Sequence, residues 1–150
     1  MTIPTHLKIP DDRIQAFDAI ESIDAGRGWC NVVPIVVEDL PDLKVNVLGL
    51  WLNTGVPVAT YVTTAPKHGE AQPSSLGLLH SHGRLGRERI SLLLGGAPFV
   101  VRQDHNSRGL LLEVPVGIAA SLVLNTMCSM SDALCDYEKT GDWRMDLFVR

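Results

Sequence analysis

The sequence is short of the features that usually announce a function. It has only three cysteines, Cys30, Cys128 and Cys135. Their spacings of 98 and 7 residues match neither a C-x-x-C pair nor a zinc knuckle. An odd number of cysteines, in a chain long enough to build its own core, reads as buried reduced thiols, because free cysteine packs as a small hydrophobe. The opening MTIPTHLKIPDDR has no apolar run behind a positive cluster, so a signal peptide is not expected. Ile118 to Leu124, broken by Ser121, is far too short to span a bilayer, which argues against membrane insertion. Gly-x-Ser-x-Gly does not occur, and Gly83-Arg-Leu-Gly86 matches neither a P-loop nor a dinucleotide fingerprint. Internal repeats and low-complexity segments are also missing. The expectation is a cytoplasmic protein with no cofactor.

What is present is ordinary globular material. Hydrophobic residues make up 45% and charged residues 20% of 150 residues, which excludes disordered and collagen-like classes. A chain of this length is expected to form one domain, 1–150, and to bury about 70% of its unfolded surface. Thirteen basic against 17 acidic residues give a net charge of −4, which argues against nucleic acid as the partner. The charge is uneven. Nine acidic and five basic residues precede Leu76, whereas Leu76 to His105 holds four basic and two acidic residues. Such asymmetry orients a partner or a second copy.

Pro10-Asp-Asp12 opens a helical pattern carrying Ile14, Phe17, Ile20 and Ile23, closed by Gly26 and Gly28. Cys30 to Val37 is rich in β-branched residues and reads as a strand, which Pro34 confines to an edge or a bulge. Lys44 to Asn53, apolar on both faces, and Val56 to Thr64 complete a predicted antiparallel meander. Ser74 or Ser75 is placed to cap a helix through Leu78, Leu79 and His82, although Gly77, Gly83 and Gly86 weaken it. Arg87 to Leu94 is the better helical half. Phe99–Arg102 and Leu110–Val114 flank a turn and predict a hairpin. Pro115 then opens a helix with Ala120, Val123, Met127, Met130, Leu134 and Tyr137 on one stripe, stopped at Thr140-Gly141. The predicted fold is α+β: helix, three-strand antiparallel meander, helix, β-hairpin, C-terminal helix, with 142–150 as a short tail.

Three constellations bear on chemistry. His80 and His82 lie at i, i+2, a spacing that on extended backbone aims both rings the same way, toward one metal. Leu78-Leu-His-Ser-His-Gly83 resembles the HSHP core of the JAMM-type metalloproteases, which implies a metal-dependent hydrolase using His80 and His82. Gly83 replaces that family's proline, however, and Leu92 to Leu94 occupy the stretch of its metal-binding aspartate. No aspartate occurs between His82 and Asp104. Arg84, Arg87 and Arg89 form a basic patch suited to carboxylates or phosphates, or to a solvated helix face. Asp104, His105 and Ser107 are explained by turn chemistry. The third signal is surplus apolar surface, with Val45, Val47, Leu50 and Trp51 as the expected partner-facing or dimer-facing residues.

The order of elements, the size and the acidic balance resemble the class I chaperones of bacterial type III secretion. Ile90-Ser-Leu-Leu-Leu94, the hairpin to Val114, Pro115 with its helix, and Leu40 to Trp51 carry the likeness over residues 10 to 138. It implies a homodimeric, non-enzymatic chaperone that binds an extended segment of a secreted effector protein and keeps it export-competent. No functional residue is carried across, since the family has no invariant motif.

Overall fold

In the computed structural model, which describes residues 5–23, 28–37, 56–79, 88–105 and 109–149, two-residue alternation organises more of the chain than helical periodicity does. Along β4 (Ser74–Leu79), Leu76 and Leu78 are buried while their neighbours are half-exposed, the signature of a strand with one face on a core. The remaining strands are β1 (Thr5–Ile9), β2 (Gly28–Val36), β3 (Val58–Val62), β5 (Val100–His105), β6 (Gly109–Val114) and β7 (Lys139–Val149). The helices are α1 (Arg13–Ile23), the single turn α2 (Ser91–Leu94) and α3 (Ala120–Ala133). Among the described residues, seven strands form one sheet in the order β1-β7-β2-β3-β4-β6-β5. Every neighbouring pair is antiparallel.

This sheet corrects the predicted order of elements. The molecule is richer in strand than a five-strand α+β design, and three strands, β1, β4 and β7, lie outside the predicted set. Of residues 142–150, expected as a tail, 142–149 belong to β7, which pairs with β1 on one side and β2 on the other. Trp143, Met145 and Leu147 alternate with Arg144 and Asp146, and Met145 is fully buried. The helix expected from Ser74 or Ser75 is replaced by β4, because Leu76 and Leu78 gain a shared buried face only when extended. Strand Lys44–Asn53 lies outside the described residues. β2 is central rather than at an edge. Its pairing with β3 ends at Val32, and its register with β7 shifts between Pro34 and Val36, so the proline sits where the ladder is already irregular.

α1 and α3 pack against each other and cover one face of the sheet. In α1 the buried residues are Ala16, Ile20 and Ile23, whereas Ile14 is 76% exposed. Steps of three residues fall short of a turn, so over nine residues Ile14 and Ile23 drift about half a turn apart. In α3, Ala120, Val123, Met127 and Met130 follow steps of three and four and are buried, with Leu134 fully buried just beyond. The helix begins five residues after Pro115 and ends well before Thr140. Lys139 Nζ donates to the Asp132 carbonyl at 2.9 Å, satisfying one acceptor at the helix end.

Candidate functional site

Among the described residues, no helix lies on the opposite sheet face, and one row of residues crosses it in register. His6, Asp146, Asn31, Thr60, Gly77, Leu111 and Gln103 are successive partners from β1 to β5. The first four are linked in pairs by their side chains. His6 Nδ1 lies 2.5 Å from Asp146 Oδ1, and Arg144 Nε forms an ion pair with the same oxygen at 3.2 Å. A carboxylate oxygen only accepts, so Nδ1 carries the hydrogen toward it. Thr60 Oγ1 donates to Asn31 Oδ1 at 2.8 Å. Trp29 stacks on Phe148 with ring centres 4.9 Å apart and planes 11° from parallel. These contacts pair polar and aromatic side chains of the face with one another.

The two edges of the sheet differ more than its faces. On β1 the backbone N–H of Lys8 donates to Asp12 Oδ2 at 2.9 Å, and its carbonyl accepts from the Asp12 N–H at 2.7 Å. Asp12 thus takes both the donor and the acceptor that a further strand would use at this position. Lys8 Nζ adds ion pairs with Asp142 and Asp11 at 3.2 and 3.9 Å. A capped, charged edge is a device against strand pairing. On β5, among the described residues, no hydrogen bond reaches the backbone of Val100 to Gln103 except from its β6 neighbour. Arg102 is neutralised within the molecule by Glu113, at 2.7 Å.

Exposed apolar side chains include some near that second edge. Eight large ones are exposed among the described residues; Val100 lies on β5, and Leu92, Leu93 and Val116 lie on segments that precede it or follow its neighbour β6 in sequence. Leu92, 91% exposed, and Leu93 are on α2, which leads into β5. Val100 is on β5 and Val116 lies just past β6. Leu122 is on α3, against which α2 packs. Leu92 and Leu93 appear in the sequence as part of an ordinary helical run. Only the brevity of α2 leaves them uncovered.

The residues expected to carry function fall differently. Val45, Val47, Leu50, Trp51, His80, His82, Arg84, Arg87 and Ser107 lie outside the described residues. Arg89 is described, and its Nη1 donates to Asp136 Oδ1 at 3.2 Å, so this member of the basic patch already holds an acidic partner. Among the described residues, no group of three His, Cys, Asp or Glu is placed to hold a metal. No protein-family model, curated protein or solved structure matches this chain. Its function therefore has to be read from its own surfaces.

Cys30, Cys128 and Cys135 are buried and form no disulfide. Burial pushes the Cys128 thiol up to about 12, outweighing the opposing charge of Arg13. Burial also raises Cys135, against a hydrogen bond to the Tyr137 carbonyl and the Lys139 charge. A thiol held protonated is a poor nucleophile. Among the described residues no helix is long and apolar enough to cross a membrane.

Proposed function

We propose that the protein is a non-enzymatic chaperone or adaptor that binds an extended segment of another protein. The observation that supports this best is that Val100 is exposed on the outermost strand β5, with Leu92 and Leu93 exposed on the turn that leads into it, while on β1 Asp12 holds both backbone polar groups of Lys8. Scattered exposed leucines need no explanation, but a concentration beside unpaired backbone is what a partner segment would cover. The resemblance to type III secretion chaperones makes the partner a secreted effector kept export-competent in the cytoplasm. It also makes the working form a homodimer, with Val45, Val47, Leu50 and Trp51 as the residues expected to serve the partner or the second copy.

The test is co-expression with the proteins encoded beside it, followed by limited proteolysis of any stoichiometric complex. A partner stretch that is protease-resistant only while bound is the expected result. Stoichiometric zinc in tag-free protein, with hydrolysis of the partner, would instead establish a JAMM-like enzyme and end this reading.

A further inference from the structure

Gly77 sits in β4 without a packing or backbone reason to be glycine. Leu76 and Leu78 on either side of it face the core, so position 77 faces away from the helices. Its φ is not positive, and β4 pairs with β3 and β6 without a register shift, so neither a turn nor a bulge requires glycine there. A Cβ at this position would meet only the Thr60 carbonyl oxygen, at an unstrained 4.0 Å. Glycine weakens a strand interior, and the reason that remains is the close approach of something bound.

Two rows of side chains lead across the sheet to this gap. Asp146, Asn31 and Thr60 form one, which β4 continues with Gly77. Phe148, Trp29 and Val62, two residues along the same strands, form the other, which β4 continues with Ser75. The first row is polar: Asn31 directs its oxygen to Thr60, so its amide N–H groups point elsewhere, and the Thr60 oxygen can accept in turn. The second is flat and apolar, with Trp29 stacked on Phe148 and Val62 43% exposed beside them. Charge on this side is balanced within the molecule, Lys8 by Asp142 and Arg144 by Asp146, with Arg102 matched by Glu113 at the β5 edge. A nucleic-acid backbone needs surplus cations, and these pairs leave it none. A polar row beside a flat apolar one suits a neutral molecule with hydroxyls along its rim and C–H groups across its ring. We infer that this part of the sheet face binds a neutral saccharide, seated over Gly77 with its rings along the Trp29–Val62 row. From Asn31 to Gly77 is two strand spacings, about 10 Å, which accommodates two sugar rings. The site lies on the face and not at the edges, so it stands whether or not an edge takes up a protein segment.

The full chain is titrated by calorimetry with cellotriose, maltotriose and the N-acetylglucosamine trimer. Adenosine monophosphate and a peptide of alternating valine and threonine serve as comparisons, and backbone NMR shifts locate the contact. At least one trisaccharide is expected to bind with Kd of roughly 10 μM to 1 mM and to shift the amides of Asn31, Thr60 and Gly77. Gly77→Val fills the gap with a better strand former, and should weaken binding at least about tenfold while leaving Tm unchanged or higher. No binding of any trisaccharide at roughly 10 mM overturns the proposal, as does binding that Gly77→Val leaves unchanged. A large loss of Tm in Gly77→Val would show that the protein itself fills the space, and refutes it equally. Shifts confined to β1 or β5 would remove the site from this face. Tighter binding of the nucleotide or the peptide than of every trisaccharide would refute the ligand class.

Discussion

Truncating β7 separates a C-terminal tail from a structural strand. Met145 is fully buried and lies among residues from both long helices and the sheet. Replacing a buried methionine by alanine removes its transfer free energy and leaves a cavity, typically 2–5 kcal/mol, taken here as about 3. Against a total stability of roughly 5–15 kcal/mol, that is a large fraction. For a chain of this size it lowers Tm by roughly 6–12 °C. The control is Val37→Ala, at a residue 58% exposed, which should stay within about 0.5 kcal/mol of wild type. Deleting residues 142–150 goes further. It removes most of the strand that joins β1 to β2, including the partners of every registered residue of β1 from Thr5 to Ile9. The truncated chain should show no cooperative thermal transition by circular dichroism. If Met145→Ala moves Tm by less than about 2 °C and the truncated chain still unfolds cooperatively, the segment is a dispensable tail and the central placement of β7 is wrong.

Other consequences are as direct. Gly109 has φ +82°, and a Cβ there would lie 2.2 Å from the Leu78 carbonyl oxygen, so Gly109→Ala must push β6 off β4. The backbone strain alone is of order 1–2 kcal/mol, and the clash adds to it, giving a loss above about 3 kcal/mol in denaturant titration. Thr60→Val keeps the shape but removes the donor to Asn31, and should cost about 0.5–1.5 kcal/mol by the same assay. Cys128 should resist a thiol reagent at neutral pH in the native protein and react once unfolded. Because folding raises its pKa from 9.0 to about 12, its contribution to stability is complete below pH 9 and is lost as pH rises toward 12. Faster native labelling of Cys128 than of an unfolded control would contradict its burial.

Helical periodicity was the legible part of this sequence. Ile20 and Ile23, and the stripe from Ala120 to Leu134, announce their buried faces because a 3.6-residue repeat is set by local geometry. β7 was legible in principle, since Trp143, Met145 and Leu147 alternate with Arg144 and Asp146, but a C-terminal position and Gly141 favoured reading it as a tail. β4 was obscured by Gly77, which weakens strand and helix alike, and by serines suited to capping. The place of β5 at the end of the sheet had no local signal. Nothing in Val100 to Gln103 distinguishes an edge strand from an interior one, and nothing in Lys8 or Asp12 says that they close the other edge.

The sequence by itself therefore determined which residues seek the interior and which stretches repeat as helices, because burial preference and turn periodicity belong to each residue and its near neighbours. Only the tertiary structure decided that β7 threads the sheet between β1 and β2, and that β5 ends it. Strand order is chosen by contacts between residues more than a hundred positions apart, such as His6 with Asp146. The same choice decides which strands lie at the edges of the sheet.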